Sequence, residues 1–329
     1  MSTVVARRVA AVCGVFVGDA AAQPLHWIYD QKKLDDIIGR KEEVEFWPTS
    51  HNAFYTLNTG QNSGYGDQPY VILKSLVENK GLNITALNKA TVDFFGPGTE
   101  YDNPNRPGEK PIQGRWLHKS LMDFLQNYKD GKSETGSADK SADCCIRMVP
   151  VVALYAGQPD MLERVRQVVQ VTQNDELLIA AALAGARILE NFILKGNNPS
   201  AVQEVIIELC KPTRKSPTDL DEKMVECLKQ VLEAKDCPHT EVAVKFGRNC
   251  YVPGNLQTSL HAITTNDNFQ SAVRSTIKAG GCNSSRSGYI GACTAAKYGL
   301  EAVPDGWKTK TDRYQEVLKL AQELVKISL

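Results

Sequence analysis

The sequence lacks the marks of several protein classes. Its 329 residues carry 38 basic and 38 acidic side chains, without a long run of like charge. Nucleic-acid-binding proteins usually show a basic surplus or stripe, so we expect no nucleic-acid partner. No stretch approaches the ~20 apolar residues of a membrane span. We therefore expect no association with a membrane.

Short catalytic motifs are also missing. The chain has no G-x-S-x-G elbow, Walker A loop, H-E-x-x-H pair or EF-hand loop. Its five histidines are scattered, and none has helical ligand spacing with another. Each is interpreted as structural rather than catalytic. Any site must therefore be assembled from residues far apart in sequence.

The nine cysteines include no C-x-x-C pair, which excludes the usual zinc pattern. Reduced thiols and a cytoplasmic location are expected for a long chain of this kind. Three cysteines, Cys13, Cys227 and Cys293, lie on apolar helical stripes and should be buried. The adjacent Cys144 and Cys145 could close a disulfide only with strain.

Residues 1–22 allow two interpretations. The segment resembles a signal peptide, because it contains Arg7-Arg8, then an apolar stretch, then small residues at 20–22. The same segment has apolar residues at helical spacing, and Asp19 stands beside the proposed cleavage site. We favour an internal buried helix and keep the signal peptide as the alternative.

Helical periodicity dominates the rest of the chain, and no convincing series of alternating strands is present. The sequence predicts an all-α fold, a single compact multi-helix domain over residues 1–329. Ser216 is predicted as the N-cap of one helix, with Pro217 in its first turn. The apolar stripes lie at 4–22, 116–128, 161–172, 175–192, 220–231 and 314–325.

Three long segments interrupt the helices, at 45–66, 96–111 and 130–142. Loops of this length in a compact domain usually frame a site. We expect the loops at 45–66 and 96–111 to border a common cleft, and residues 4–22 and 284–299 to pack together in the core.

Four separated stretches carry a family resemblance. They are G-x-x-x-G-D-A ending at Ala20, Gly66-Asp67-Gln68 before a helix expected from Pro69, residues 141–157, and the Gly-Gly, polar run and small-residue helix at 279–299. In this order, over most of the chain, they resemble the ADP-ribosylglycohydrolase family.

The resemblance implies an all-α hydrolase with two magnesium or manganese ions. Family ligands come chiefly from an early Asp-Asp-Thr run and a late Asp-x-Asp-Thr run. Hard cations prefer several oxygen ligands, with carboxylates supplying negative charge. Such a pair would orient a ribose and a water for cleavage of an ADP-ribosyl bond.

This sequence departs from both runs. The early run keeps Asp67 but continues with Gln68, and Cys282 and Ser284 stand where the late aspartates are expected. Three of the four expected aspartates are gone. We predict that the two metal ions are lost and that no cofactor is needed. Asp67, with Asp19, should hold at most one weakly bound metal ion.

The late run keeps several interpretations open. It could bind a phosphorylated sugar without metal, or Cys282 could act as a nucleophile at a helix start. Equally, Asn283 or Ser284 could cap the helix while Arg286 is a surface charge. The candidate remnant of the cleft comprises Asp19, Asp67, Gln68, Cys282, Asn283, Ser284, Ser285 and Arg286.

These departures resemble one subgroup of the family, the jellyfish J crystallins and the related fish selenoprotein J. That resemblance implies a structural eye-lens protein in the cytoplasm of lens cells. Its partners would be copies of itself or other lens proteins at high concentration. The alternative is a hydrolase or binder of ADP-ribose-type ligands that uses a modified site.

Overall fold

The computed structural model describes residues 3–102 and 108–327. Over these residues the helices are, in chain order, α1 (Val4–Ala22), α2 (Gln31–Ile38), α3 (Gly64–Glu78), α4 (Ile84–Phe95), α5 (Lys119–Lys129), α6 (Asp143–Arg147), α7 (Val149–Tyr155), α8 (Met161–Gln170), α9 (Glu176–Lys195), α10 (Ala201–Leu209), α11 (Asp221–Glu233), α12 (His239–Phe246), α13 (Gly254–Thr265), α14 (Phe269–Lys278), α15 (Asn283–Tyr298), α16 (Asp305–Lys310) and α17 (Tyr314–Ile327).

Helices α1 and α15 form the centre of the fold. A side chain on Gly14 would overlap the carbonyl oxygen of Gly291, and one on Gly18 would overlap that of Ser287. The two backbones therefore touch directly, without side chains between them. This confirms the prediction that residues 4–22 and 284–299 pack together in the core.

Helix α9 lies in the core beside this pair. It is long and apolar enough to cross a membrane, so the statement that no stretch approaches that length was wrong. However, 78% of its apolar window is buried inside the protein. The composition of α9 is typical of the central helix of an all-α domain, and the burial of α9 in the core confirms that it is one.

Most helical stripes fall where the sequence predicts them. The stripes at 161–172 and 314–325 correspond to α8 and α17, while α5 begins only at Lys119.

The predicted cap at Ser216 was wrong, because this residue adopts a left-handed backbone and α11 starts at Asp221. The backbone N–H and hydroxyl of Thr218 donate to the Asp221 carboxylate, at 3.1 and 2.7 Å, and hold the preceding loop outside the helix.

Helix α3 begins five residues before the expected start at Pro69. The hydroxyl of Ser63 caps it by accepting the N–H of Tyr65 at 3.1 Å. Pro69 is accommodated inside the helix. As a consequence, Asp67 and Gln68 lie on a helix rather than in the loop before one.

The loops at 45–66 and 96–111 meet through two short parallel strands, β1 (Tyr55–Thr56) and β2 (Ile112–Gln113). The first loop lines a groove of about 650 Å³ together with residues 113–115, and Glu100 is the lining residue from the described part of the second loop. This agrees with the expected common cleft, although residues 103–107 lie outside the described part of the chain. The mainly helical architecture is otherwise as predicted.

All nine cysteines lie in the described part of the chain, and none forms a disulfide there. The three expected to be buried, Cys13, Cys227 and Cys293, are buried. Cys144 and Cys145 are also buried, with their sulfurs 3.8 Å apart.

The contact between α1 and α15 predicts that Gly291→Ala is destabilising. Its methyl group would overlap the carbonyl oxygen of Gly14, and backbone cannot rotate away as a side chain can. We expect a loss of at least about 2 kcal/mol in the free energy of unfolding, measured by urea denaturation.

The matched control is Gly306→Ala in α16, where a Cβ would meet nothing within 4 Å. A helical Gly→Ala change in open space should be neutral or stabilise by about 0.5–1 kcal/mol. Equal unfolding free energies for the two variants would contradict the backbone contact.

Candidate functional site

The eight candidate residues come from α1, α3 and the start of α15. None of them is more than 1% exposed. Asp19 and Asp67 lie close enough to interact electrostatically, and the sulfur of Cys282 donates to the hydroxyl of Tyr65 at 3.2 Å. The structure therefore brings three of the candidates around one buried centre, while the others face neighbouring elements.

Asp67 is the one carboxylate left from the early run, and both of its oxygens are engaged. Oδ2 accepts the hydroxyl of Tyr101 at 2.6 Å and pairs with Nη1 of Arg115. Oδ1 pairs with Nη1 of Arg313. Two guanidinium groups thus supply the positive charge that this buried carboxylate requires.

The two arginines are themselves held in place. Arg115 donates from Nε to Glu100 at 2.6 Å and from Nη1 to the carbonyl of Asn62 at 3.0 Å. The guanidinium of Arg313 lies 4.5 Å from the centre of the Tyr70 ring. The charges of Asp67 and Glu100 balance those of the two arginines, and Asp19, which also interacts with Asp67, stands outside this balance.

Asp19 lies at the end of α1 and accepts three hydrogen bonds. The hydroxyl and N–H of Ser63 donate to it at 2.5 and 2.9 Å, and the amide of Asn62 donates at 2.9 Å. Burial raises the pKa of Asp19 to about 6, although these hydrogen bonds oppose the shift. Asp19 therefore ties α1 to the start of α3.

Gln68 faces a second polar cluster. Its carbonyl accepts from Arg147 at 3.1 Å, and its amide nitrogen lies 3.3 Å from Nδ1 of His118. His118 in turn donates from Nδ1 to Asp143 at 2.7 Å, and Ser120 donates to the same carboxylate at 2.6 Å. Gln68 thus belongs to a buried structural network around an ion pair.

Burial and pairing act in opposite directions on this ion pair. Burial alone would raise the pKa of Asp143, but the attraction of His118 lowers it to about 2. Burial likewise lowers the pKa of His118, and Asp143 more than reverses that effect. Each partner therefore stabilises the charged form of the other.

Neither Asn283 nor Ser284 caps α15, whose N-cap position is Cys282 without a side-chain cap bond. Instead Nδ1 of His26 accepts the N–H of Ser284 at 3.1 Å. The side chain of Asn283 reaches back to the carbonyl of Leu25 at 3.0 Å. The helix start is thus capped by a distant histidine, and the two local capping hypotheses were wrong.

The neighbouring serines differ in their contacts. Ser285 bonds to the carbonyl of Cys282 at 3.0 Å and accepts from Asn255 at 3.0 Å. Within the described residues, the buried hydroxyl of Ser284 has no hydrogen-bond partner. The hydroxyl of Ser285 therefore stabilises the helix start. The hydroxyl of Ser284, which stands at the expected second aspartate position, does not.

Arg286 is fully buried, so its interpretation as a surface charge was wrong. Nε donates to the hydroxyl of Thr276 at 2.8 Å, and Nη2 donates to the carbonyl of Gly280. Burial lowers the pKa of Arg286 to about 10. This side chain fixes the turn between α14 and α15 rather than facing a ligand.

These residues do not fit a pair of divalent ions. Magnesium and manganese require oxygen ligands with negative charge, but Asp67 already satisfies two guanidinium groups, and a thiol is a poor ligand for magnesium. Over residues 3–102 and 108–327, no group of three or more His, Cys, Asp and Glu is placed to hold a metal ion. We therefore assign no catalytic step to such ions.

Sequence reasoning missed the residues that complete the site. Arg115 and Arg313 lie 48 and 246 residues from Asp67, and no spacing rule connects them. His26 lies 258 residues from Ser284, so its structural interpretation agrees with its role at the start of α15, but its partner was not predicted. The one available signal was the replacement of three of the four expected aspartates, which leaves Asp67 to be balanced by other positive charges.

Comparisons with known proteins agree with this geometry. Residues 1–328 match the family described as ADP-ribosylglycohydrolase. Crystallin J1A of Tripedalia cystophora is 36% identical over 98% of this chain and 97% of its own length, and Crystallin J1B of the same jellyfish is 34% identical over the same shares. These relatives confirm the predicted subgroup.

Two further similarities are weaker. The ADP-ribosyl-[dinitrogen reductase] glycohydrolase of Rhodospirillum rubrum is 26% identical over 60% of this chain and 56% of its own length. A solved structure described as an ADP-ribosylglycohydrolase-related protein complex covers all of both chains with a TM-score of 0.68 at 18% identity. At that identity the structural match shows the fold alone.

The pairing of Asp67 predicts that Asp67→Asn is strongly destabilising. The amide keeps the shape of the side chain but leaves Arg115 and Arg313 without their shared countercharge. Removing one partner from a buried ion pair typically costs about 3–5 kcal/mol, and we expect about 3 here because Arg313 is partly exposed. Chemical denaturation measures this loss.

The matched control is Asp93→Asn, which breaks a pair with Lys89 whose side chains are 59% and 71% exposed. Exposed pairs contribute about 0–1 kcal/mol, so this variant should unfold like the wild type. If Asp67→Asn were equally harmless, the proposed charge compensation would be wrong.

A second prediction concerns pH. Burial lowers the pKa of His26 well below its ordinary 6.5, so the folded protein keeps this ring neutral. The neutral His26 ring therefore contributes its full stabilisation above pH 6.5. Below pH 6.5 the free energy of unfolding decreases as pH falls, by up to about 1.4 kcal/mol per pH unit. His26→Asn keeps an acceptor for the N–H of Ser284 but should flatten the stability profile between pH 6.5 and 5.

The profile of the wild type, measured in the same buffers, serves as the comparison. An unchanged slope in His26→Asn would show that His26 is protonated alike in the folded and unfolded states.

Proposed function

The chain belongs to the ADP-ribosylglycohydrolase family, and from this premise we propose that it is a structural crystallin of the eye lens. In this proposal it is a protein of the jellyfish J-crystallin type. It keeps the hydrolase scaffold but has lost the metal-dependent activity. The family as a whole is one of glycohydrolases, so the loss of activity is the specific claim.

The observation that carries the loss of activity is the state of Asp67. Both of its oxygens are bound by arginines, which supply the positive charge next to Asp67 that divalent ions would otherwise bring. A metal ion entering this centre would have to displace two guanidinium groups from Asp67, the carboxylate that they share. That displacement is unfavourable, since unpaired buried charges cost several kcal/mol.

Closure of the centre supports the same conclusion. The eight residues of the former cleft are at most 1% exposed. A hydrolase must bring the ribose of its substrate to the reacting water, so a sealed centre cannot serve catalysis without opening. The hydrogen bonds of Asp19, Arg286 and His26 stabilise the closed arrangement.

The crystallin role is supported by the relatives and by the surface. The two relatives named crystallins align over nearly their whole length, whereas the named glycohydrolase aligns over little more than half of its own. The two strands of the described residues are only two residues long each, so they present little strand edge for aggregation. A net charge of zero works against solubility at high concentration, although both signs are interspersed along the chain.

We propose further that the protein works in the cytoplasm of lens cells, with copies of itself or other lens proteins as partners. It needs no cofactor in that role. The observation favouring the alternative function is the groove of about 650 Å³ beside Arg115, which is large enough for a small ligand. Binding of an ADP-ribose-type molecule there would be compatible with an inactive centre.

The loss of activity predicts no high-affinity sites for magnesium or manganese in calorimetric titration and no release of ADP-ribose from modified substrates. The glycohydrolase from Rhodospirillum rubrum, assayed alongside, provides the active control. Two micromolar metal sites, together with turnover abolished by Asp67→Ala, would show an altered enzyme instead.

The crystallin role predicts that the chain is among the abundant soluble proteins of the lens. Quantitative mass spectrometry of lens and non-lens tissue from the same animal measures this directly. A low and uniform level in all tissues would contradict the structural role, whatever the outcome of the metal titration.

A further inference from the structure

Two thiols from distant parts of the chain lie together beside the start of α15. Cys250 belongs to the loop before α13, and Cys282 is the N-cap of α15. The N–H of Cys282 donates to the carbonyl of Arg248 at 2.7 Å, which joins the two segments. Trp27 joins them a second time, because its backbone N–H bonds to Gly281, next to Cys282, while its indole N–H bonds to the sulfur of Cys250.

The two thiols differ in accessibility. Cys250 is partly exposed, whereas Cys282 is fully buried behind it. At the surface, the rings of Tyr29 and Tyr251 are 40% and 55% exposed. A small molecule from solvent would therefore meet Cys250 first.

Hydrogen-bond donors surround the sulfur of Cys250. The indole N–H of Trp27 donates to it at 3.3 Å, and the hydroxyl of Tyr29 lies 3.8 Å away. Trp27 is fixed because its backbone N–H donates to the carbonyl of Gly281 at 2.8 Å. Donors directed at a sulfur stabilise the thiolate, which is the nucleophilic form of cysteine.

We propose that Cys250 and Cys282 form a redox-active thiol pair that is oxidised to a disulfide by hydrogen peroxide or small organic hydroperoxides. Cys250 is the attacking thiol and Cys282 is the resolving thiol. The inference is independent of the proposed lens function, because it rests only on the arrangement of these two side chains.

The reaction proceeds in two balanced steps. The Cys250 thiolate attacks one peroxide oxygen, an S–O bond forms, the O–O bond breaks, and the leaving hydroxide or alkoxide takes a proton. The sulfur of Cys282 then attacks the sulfenic acid of Cys250, an S–S bond forms, the S–O bond breaks, and hydroxide leaves as water with the Cys282 proton. Two thiols are oxidised by two electrons, and one peroxide is reduced.

The acidities of the thiols agree with these roles. Hydrogen bonding from Cys282, followed by bonds from Tyr65, Trp27 and Tyr29, lowers the pKa of Cys250 to about 6 against the effect of burial. Burial raises the pKa of Cys282 well above its ordinary range. At neutral pH the accessible sulfur is a thiolate, and its buried neighbour keeps the proton needed by the leaving hydroxide.

The test treats the full-length reduced protein with a small excess of hydrogen peroxide, blocks the remaining thiols by alkylation, and maps the products by peptide mass spectrometry. We expect a Cys250–Cys282 disulfide as the first product. In Cys282→Ser, Cys250 should instead accumulate as a sulfenic acid that a 1,3-dione traps. In Cys250→Ser, Cys282 should remain reduced.

The exposed Cys210 and Cys237 serve as internal controls in every sample. Alkylation of Cys250 should follow pH with a midpoint near 6, compared with about 8.5 for an ordinary thiol. Oxidation of Cys210 or Cys237 before Cys250, or loss of the Cys250 thiol without linkage to Cys282, would overturn the proposal. Both of these outcomes are measured on the wild type, so the test stands even where a variant fails to fold.

Discussion

Direct contact between the backbones of α1 and α15 is the constraint on which the rest of the structure depends. Gly14 and Gly291 allow the two helices to touch, and Gly18 meets Ser287 one turn further along. Asp19 follows the last of these contacts on α1, and the run from Cys282 begins α15. The helix pair therefore sets the position of the residues at the family's metal positions by packing, so these positions do not depend on bound ions.

Charge compensation determines what this scaffold can do. A carboxylate buried as deeply as Asp67 requires nearby positive charge, and metal ions or arginines can supply it. Here Arg115 and Arg313 do so, and Glu100 completes the balance. Guanidinium groups bind a carboxylate but do not activate a water as a divalent ion does. In the function that we propose, exchanging one source of charge for the other keeps the fold and removes the metal-dependent chemistry.

Local pattern and motif order predicted much of the fold, because helices such as α1, α9 and α17 carry their apolar periodicity in sequence. The changed residues at Cys282 and Ser284 were also visible, since motif positions can be compared directly. Their contacts were not predictable. Arg115, Arg313 and His26 reach the site only through tertiary packing, and Arg286 looks like a surface charge until Thr276 and Gly280 are placed beside it. The start of α3 was misplaced because Pro69, a common helix starter, lies inside the helix that Ser63 caps.

The central claim is that arginines occupy the place of metal ions around Asp67. A crystal structure of the protein soaked in manganese chloride, measured near the manganese absorption edge, tests it most directly. The account predicts no anomalous peak within coordination distance of Asp67 and clear density for both guanidinium groups against its oxygens. A manganese peak on Asp67, with Arg115 or Arg313 turned away, would contradict it.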